Sequence, residues 1–393
     1  MAWLKKILKQ VGLRGFSAIV AIVLASPFTW GALTGFYIWL SPFVMLNSVF
    51  LLKSVVGLNS IAFLVLVITS FRKRWFCRYL CPVGLGCDWV SSCSHRKNFS
   101  VQKIPSLGKW MAISSLAAAL AGMPLFVLLD PMSVFNGFFA VFSGEKMAIS
   151  AIISLSGLPL LLAIHLFFPG IWCTRLCPLG GLQDEVIKVK KLTGITRGER
   201  NRPEDKTGRR LFLASGLGLL AGLMVPRFLH PEGKGFIRPP GSVSENLFNS
   251  LCLRCGNCIK ACPTAILKHS TDPRDIISWM TPEARFDKGY CLEDCALCSR
   301  VCPSGAITLF NPGAKQQLPI GLAEIDLQNC LLLKNTECDR CKTACPYDAV
   351  TIDTKQGTLY AVPVVNGEKC VGCGACAVIC PPGTIAISPL SKR

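Results

Sequence analysis

Histidine and acidic side chains are the scarce residues of this sequence. There are four histidines in 393 residues (His95, His165, His230, His269) and no C-x-x-C-H anywhere, which excludes covalently attached haem. Only His165 sits in a long apolar run, so bis-histidine haem b within the chain is excluded as well, and His165 reads as a hydrogen-bonded histidine near a helix end. Residues 1–210 hold 8 Asp and Glu against 24 Lys and Arg, a net +16, whereas residues 211–393 hold 15 against 18, a net +3. The basic excess flanks apolar runs and is not interleaved with aromatics on an amphipathic face, so nucleic acid is not an expected partner.

Cysteine is abundant, at 22 residues, and its spacing decides its use. Sixteen cysteines form four repeats beginning at Cys252, Cys291, Cys330 and Cys370. The first (Cys252, Cys255, Cys258, Cys262-Pro263) and fourth (Cys370, Cys373, Cys376, Cys380-Pro381) match the C-x-x-C-x-x-C-x-x-x-C-P run of [4Fe-4S] ferredoxins. The second (Cys291, Cys295, Cys298, Cys302-Pro303) widens the first gap by one residue, and the third (Cys330, Cys338, Cys341, Cys345-Pro346) widens it further. Three cysteines on a tight loop bind three corners of one cubane, and the fourth, ahead of the proline, reaches the other cluster of a pair. Zinc ribbons would need two C-x-x-C knuckles per site and no proline after the last cysteine. The spacing leaves open whether motif one pairs with two and three with four, or one with four and two with three. A short β-like run follows each Cys-Pro, as in Ala349-Val350-Thr351-Ile352.

The long apolar runs all precede Arg227, at about residues 16–40, 55–70, 111–129 and 147–168, with a shorter glycine-rich run at 211–225. Lysines and arginines at the N-terminus, after the second run and after the fourth predict cytoplasmic loops. The expected fold is therefore multi-domain: an all-α polytopic membrane domain plus an α+β ferredoxin-like polyferredoxin domain. The boundaries are 1–205 for about four helices in two hairpin repeats, and 206–228 for a twin-arginine-like segment (Arg209-Arg210) and fifth helix. A linker over 229–250 and a ferredoxin domain over 251–393 complete the division. The expected location is the inner membrane, multi-pass, with a cytoplasmic N-terminus and an extracytoplasmic C-terminal domain.

A second repeat lies in the first half. Trp75-Phe76-Cys77-Arg78-Tyr79-Leu80-Cys81-Pro82-Val83-Gly84 recurs 96 residues later around Trp172-Cys173-Thr174-Arg175-Leu176-Cys177-Pro178-Leu179-Gly180, and the same offset pairs Asp88 with Asp184 and Cys87 with Gln183. Two cysteines from each copy, Cys77, Cys81, Cys173 and Cys177, make four thiolates for one cluster shared across the repeat. The rival is a local site of Cys77, Cys81, Cys87 and Cys93. Asp130, Glu145 and Lys53 are the ionisable candidates for a quinone site, although Asp130-Pro131 is more often a helix-terminating dipeptide.

These motifs resemble a fusion of two families. The paired C-x-x-x-C-P-x-G motifs over about 1–205 are similar to NapH-type membrane ferredoxins, seen also in NosR and MauN relatives. The twin arginines, Arg238-Pro239-Pro240-Gly241 and the four cluster motifs resemble NapG or MauM-type exported ferredoxins. The resemblance implies oxidation of quinol from the membrane quinone pool and delivery of electrons to a periplasmic acceptor, a cytochrome or reductase, with other membrane subunits as partners. Two alternatives stand beside it: a transmembrane conduit from a cytoplasmic donor, and electron supply to the maturation of a periplasmic enzyme. In each the chain is an electron-transfer component carrying four clusters in the C-terminal domain and one more in the first half.

Overall fold

The computed structural model describes residues 2–26, 35–55, 59–94, 104–143, 149–192, 206–228, 235–272, 275, 277–334, 336–354 and 361–390. The chain divides into two compact units, the first comprising Met1–His230, Ser244–Asn257 and Pro303–Ala306, the second Pro231–Val243, Cys258–Cys302 and Ile307–Arg393.

The first unit is helical. Its elements are α1 (Ala2–Ala25), α2 (Phe36–Trp39), α3 (Pro42–Leu52), α4 (Ser60–Phe71), α5 (Trp75–Tyr79), α6 (Pro82–Ser92), α7 (Leu107–Leu120), α8 (Pro131–Ala140), α9 (Ile149–Phe167), α10 (Pro178–Leu192), α11 (Lys206–Phe228) and α12 (Glu245–Leu251). Four of these helices start on proline, whose fixed φ suits the first helical position and whose missing N–H is no loss there. All four are capped by the side chain just before the proline, Ser41, Cys81, Asp130 and Cys177. Ile38, Phe43, Val44, Phe76, Met132 and Leu179 form the centre of the core.

The 96-residue repeat is visible as a shared shape. In the first copy α4 leads through α5 to α6, and in the second α9 leads through a π-helical turn, Trp172–Leu176, to α10. The copies exchange partners: α6 packs on α9 and α10 on α4. That exchange turns the two cysteine loops towards each other. α7 packs on both α10 and α11, and the glycines of the apolar run at 211–225 explain how: a Cβ at Gly218 or Gly222 would overlap the backbone of Ser114 or Ala118.

The expected membrane-spanning architecture is corrected here. Among the described residues, no helix is long and apolar enough to cross a membrane. The all-α polytopic membrane domain, the multi-pass inner-membrane location and the extracytoplasmic placement that followed from them are therefore overturned. The physical reason is discontinuity. Hydropathy joins neighbouring apolar residues into one run, whereas the backbone breaks several runs into short helices. α4 has 12 residues and α7 has 14, which rise about 18 and 21 Å against a hydrocarbon core of about 30 Å. The run at 16–40 ends its helix at Ala25, and the run at 111–129 turns at Gly122 (φ 108°). Pro159 lies inside α9. The outer faces of α1, α4, α9 and α11 carry exposed apolar side chains such as Phe16, Phe63, Leu160 and Phe212. The side chains of Arg209 and Arg210 lie outside the described residues.

The second unit is built from small antiparallel pairs and single helical turns. The strands are β1 (Leu267–His269), β2 (Pro282–Ala284), β3 (Gly321–Ile325), β4 (Val350–Thr354), β5 (Ala361–Val365) and β6 (Ile385–Pro389), paired β1–β2, β3–β6 and β4–β5. The β-like runs after motifs one, three and four become β1, β4 and β6. The run after motif two contributes only the bridge of Ile307 to Ser242. The third cysteine of every motif rides on a short helical turn: α13 (Asn257–Ala261), α14 (Leu297–Arg300), α15 (Arg340–Thr343) and α16 (Ala375–Ile379).

Candidate metal centres

Every cysteine in the chain is a free thiol. In the second unit, pairing of strands decides which thiols meet. β3, before motif three, pairs with β6, after motif four, and β4, after motif three, pairs with β5, before motif four. Each motif's exit is thus laid beside the other's entry. Cys345, the last cysteine of motif three, consequently lines one small cavity with Cys370, Cys373 and Cys376, the first three of motif four. β1 and β2 join the exit of motif one to the entry of motif two in the same way, and Cys262 lines a small cavity with Cys291, Cys295 and Cys298. Cys330, Cys338 and Cys341 lie near one another, and Cys341, Cys345, Cys376 and Cys380 share one apolar cluster. The first motif is divided between the units, Cys252 and Cys255 lying in the first and Cys258 and Cys262 in the second. The backbone N–H of Ile307 donates to Cys302 Sγ (3.4 Å) and that of Ala349 to Cys345 Sγ (3.3 Å).

The turn after each Cys-Pro is the same. Its third residue beyond the cysteine is left-handed in all four motifs: Ala265 (φ 52°), Gly305 (76°), Asp348 (47°) and Gly383 (66°). Inside the loops, Arg254 and Gly256 repeat the left-handed pair Gly372 and Gly374.

Lys315, a residue outside every motif, is buried, and its ammonium donates to the carbonyls of Leu292 and Cys295 (2.9 Å to the latter). It pins the second loop and places a positive charge beside Cys291. Burial nonetheless raises the Cys291 thiol, and it pushes Cys373 up to about 11 and Cys376 up to about 12. Thiols held together and kept protonated by burial ionise when a cation arrives to coordinate them, so the residues fit a metal cluster.

In the first unit Cys77, Cys81, Cys173 and Cys177 are brought together from the two copies, close enough to oppose one another's ionisation. Cys81 and Cys177 each stand just before a helix, at the positive end of its dipole, and each sulfur accepts from the N–H of the glycine three residues on, Gly84 (3.2 Å) and Gly180 (3.4 Å). The spacing C-P-x-G has a steric cause: a Cβ at Gly84 would stand 2.9 Å from the Cys77 carbonyl oxygen, and one at Gly180 would stand 3.1 Å from that of Cys173. Burial pushes the Cys77 thiol up to about 12, reinforced by Cys173 and opposed by Arg74 and an N–H from Gln183. Arg74 holds the two loops in register. Its guanidinium grips Asp184 twice (3.0 and 2.6 Å) and donates to the carbonyls of Cys173 (2.8 Å) and Thr174 (3.2 Å). The equivalent Asp88 takes Arg14 instead (2.6 Å).

The remaining candidates are placed differently. Cys87 is buried near Cys173, whereas Cys93 is exposed at the end of α6, so the structure does not assemble Cys77, Cys81, Cys87 and Cys93 into one site. Asp130 is fully buried as the cap of α8, accepting from Ser41 Oγ (2.8 Å) and the Met132 N–H (3.0 Å), and burial pushes its carboxyl up to about 6. Lys53 ends α3 in a left-handed conformation and is exposed. Glu145 lies outside the described residues. Sequence reasoning missed Arg74, Gln183 and Lys315; the offset that pairs Asp88 with Asp184 was the available signal for the first two.

Comparison with known proteins agrees with this chemistry. A family model for a 4Fe-4S dicluster domain matches residues 251–306 and 334–384, the same motif pairs that the strands join. A 4Fe-4S binding-domain model matches residues 55–101 and 150–196, the two copies of the helical repeat. The methylamine utilization ferredoxin-type protein MauM of Paracoccus denitrificans is 32% identical over 190 residues, covering 46% of this chain and 83% of that protein. The ferredoxin-type protein NapF of Haemophilus influenzae is 35% identical over 158 residues, covering 40% of this chain and 81% of that protein. The chain belongs to the ferredoxin-type iron–sulfur proteins. The ferredoxin-type protein NapG of Escherichia coli is 36% identical over 154 residues, which cover 37% of this chain and 65% of NapG, just under two thirds of its length. No solved structure matches. As a ferredoxin-type protein the chain carries 4Fe-4S domains.

Proposed function

We propose that this ferredoxin-type protein relays electrons one at a time between a donor and an acceptor, with four [4Fe-4S] clusters held by the C-terminal cysteines and a fifth held by the helical repeat. The observation that carries the reading is the exchange of last cysteines. Cys262 joins Cys291, Cys295 and Cys298, and Cys345 joins Cys370, Cys373 and Cys376, as the two-cluster ferredoxin spacing requires. By the same rule Cys302 completes the set of Cys252, Cys255 and Cys258, and Cys380 the set of Cys330, Cys338 and Cys341. In the helical repeat Cys77, Cys81, Cys173 and Cys177 would hold the fifth cluster.

A bound [4Fe-4S] cluster supplies reversible one-electron transfer with little rearrangement. The chain's own residues hold the ligand sets close together and dry. The N–H of Cys291 donates to the carbonyl of Cys373 (2.9 Å), which ties the ligands of motif two directly to those of motif four. Tyr290 and Tyr347 pack around that junction with Val371, Cys373 and Ala375. Within the second unit the loops of motifs two, four and three therefore follow one another, and the third motif's loop is the end at which a partner would exchange electrons.

A reductive titration followed by low-temperature electron paramagnetic resonance tests the reading. About five electrons per chain should be taken up, with magnetically interacting signals from neighbouring [4Fe-4S] centres. A Cys262→Ser variant should alter the centre of motif two and leave the Cys252, Cys255, Cys258 set its full ligation. Uptake of electrons without such signals, or a Cys262→Ser change confined to the centre of its own motif, would contradict it.

A further inference from the structure

The helical repeat is symmetric in its four C-x-x-x-C-P cysteines and asymmetric in what surrounds them. The residue equivalent to Cys87 in the second copy is Gln183, and the residue equivalent to His165 in the first is Thr69. Gln183 is fully buried and donates from Nε2 to Cys77 Sγ (3.4 Å), while Thr69, also buried, returns its hydroxyl to the Leu66 carbonyl (2.8 Å). Around Cys173, the counterpart of Cys77, stand Cys87 and His165. One half of the repeat thus has a hydrogen-bonding pair where the other has two metal-ligating side chains.

The second set is compact. The sulfurs of Cys87 and Cys173 and a ring nitrogen of His165 all lie within 4.8 Å of one another. Metal–sulfur and metal–nitrogen bonds of about 2.3 and 2.0–2.1 Å let three such atoms share a single ion after a small closing movement. His165 and Cys87 are 0% and 1% exposed. His165 Nδ1 is engaged with the Leu161 carbonyl (3.0 Å), and a main-chain carbonyl in that position fixes the tautomer whose Nε2 carries a lone pair. That Nε2 makes no full hydrogen bond, and the side chain that the ring faces is the Cys173 thiol. A main-chain bond on one nitrogen, with thiols gathered at the ring, is what a metal-binding imidazole presents.

We propose that Cys87 Sγ, His165 Nε2 and Cys173 Sγ bind one thiophilic metal ion of the zinc class, with Cys173 bridging it to the set completed by Cys77, Cys81 and Cys177. Three protein ligands leave a fourth position open, the arrangement of a reactive rather than a purely structural zinc site. Cys87 loses its proton on binding zinc, Cys173 has already lost its own to the iron site it bridges, and His165 binds neutral, so no oxidant or reductant is needed. The ion answers a buried imidazole nitrogen that the other half of the repeat does not possess.

The test uses the full chain, loaded anaerobically with iron and sulfide, then given Zn2+ and desalted. Metal analysis should find about one zinc per chain with iron unchanged, and X-ray absorption at the zinc edge should show two sulfurs and one nitrogen. The variants C87Q and H165T install the residues that the other copy already carries, so the helices should tolerate them. Each should weaken zinc binding by at least about tenfold while iron stays at the wild-type level. Absence of zinc from the wild-type chain, wild-type zinc affinity in both variants, or a zinc shell without nitrogen would overturn the proposal. So would iron that leaves as zinc enters, because bridging requires both at once. The shared-cluster reading fails separately, if C81S leaves iron at the wild-type count.

Discussion

The two units present cysteines to metal by different means. In the second unit the ligands sit on tight loops shaped by left-handed residues, and short strand pairs carry one motif's last cysteine to another motif's loop. In the first, two of the four cysteines proposed as ligands cap helices α6 and α10, and the four meet only because two copies of a helical segment exchange partners. A loop site depends on local backbone conformation, so it tolerates change elsewhere in the chain. A helix-cap site depends on where whole helices cross, so residues far from any cysteine control it.

That contrast can be broken from either side. The largest effect is expected from Gly181→Ala, because a Cβ there would overlap the backbone of Gly108 and Lys109 where α7 crosses α10. Neither backbone can move aside, so we expect a loss of about 3 kcal/mol or more, read by thermal melting. Iron should disappear from the helical repeat and not from the second unit. Arg74→Ala should cost about 3 kcal/mol by leaving Asp184 unpaired and two carbonyls without their donor. Chemical denaturation that shows no loss would mean that the two loops hold their register without it.

Asp130 sharpens the comparison through pH. Its carboxyl is raised to about 6 from an ordinary value of about 3.9, so the folded state binds the proton more tightly than the unfolded chain. Its contribution is therefore most favourable at acid pH and is lost as pH rises from about 4 to about 6, with no further change above. Asp130→Asn keeps a competent helix cap and should remove that fall, leaving the first unit more stable at pH 7 by on the order of 2 to 3 kcal/mol. Denaturation midpoints measured across pH 4–7 check this, and parallel curves for the two proteins would refute it.

In the second unit Gly374→Ala should cost about 2 kcal/mol, because φ there is 84° and the new Cβ would fall within the ring of Phe286. Its signature is a lower melting point with the iron of the helical repeat intact. The smallest effect is expected of Arg254→Gly. Arg254 holds φ 54° at the loop position that Gly372 fills in motif four, so glycine should relieve about 1 kcal/mol of strain. A melting point lowered by the substitution would show instead that contacts of the arginine side chain outweigh its backbone.

Much of the chemistry was legible in the sequence, because a cubane constrains the spacing of its ligands along the chain. The spacing of the 16 C-terminal cysteines and the recurrence of Cys77 and Cys81 as Cys173 and Cys177 are visible in motif and repeat alone. The pairing of motifs could not, since it is decided by contacts such as Ile325 with Ile385, 60 residues apart. The left-handed turn after each Cys-Pro was foreshadowed by Gly305 and Gly383 and hidden by Ala265 and Asp348. The apolar runs misled because hydropathy counts residues and ignores where a helix stops, as at Ala25 and Leu120. Cys87 was grouped with Cys93 for being near it in sequence, whereas the packing of α6 on α9 is what brings it to His165.

The most direct test of the relay is the iron and acid-labile sulfide count of the anaerobically purified chain, compared with Cys262→Ser and Cys177→Ser. The account predicts about twenty irons in the wild-type chain, with Cys262→Ser losing iron from the second unit alone and Cys177→Ser losing about four from the helical repeat alone. A wild-type chain with about sixteen irons that Cys177→Ser leaves unchanged would contradict the helix-capped site, and one with few irons would contradict the relay itself.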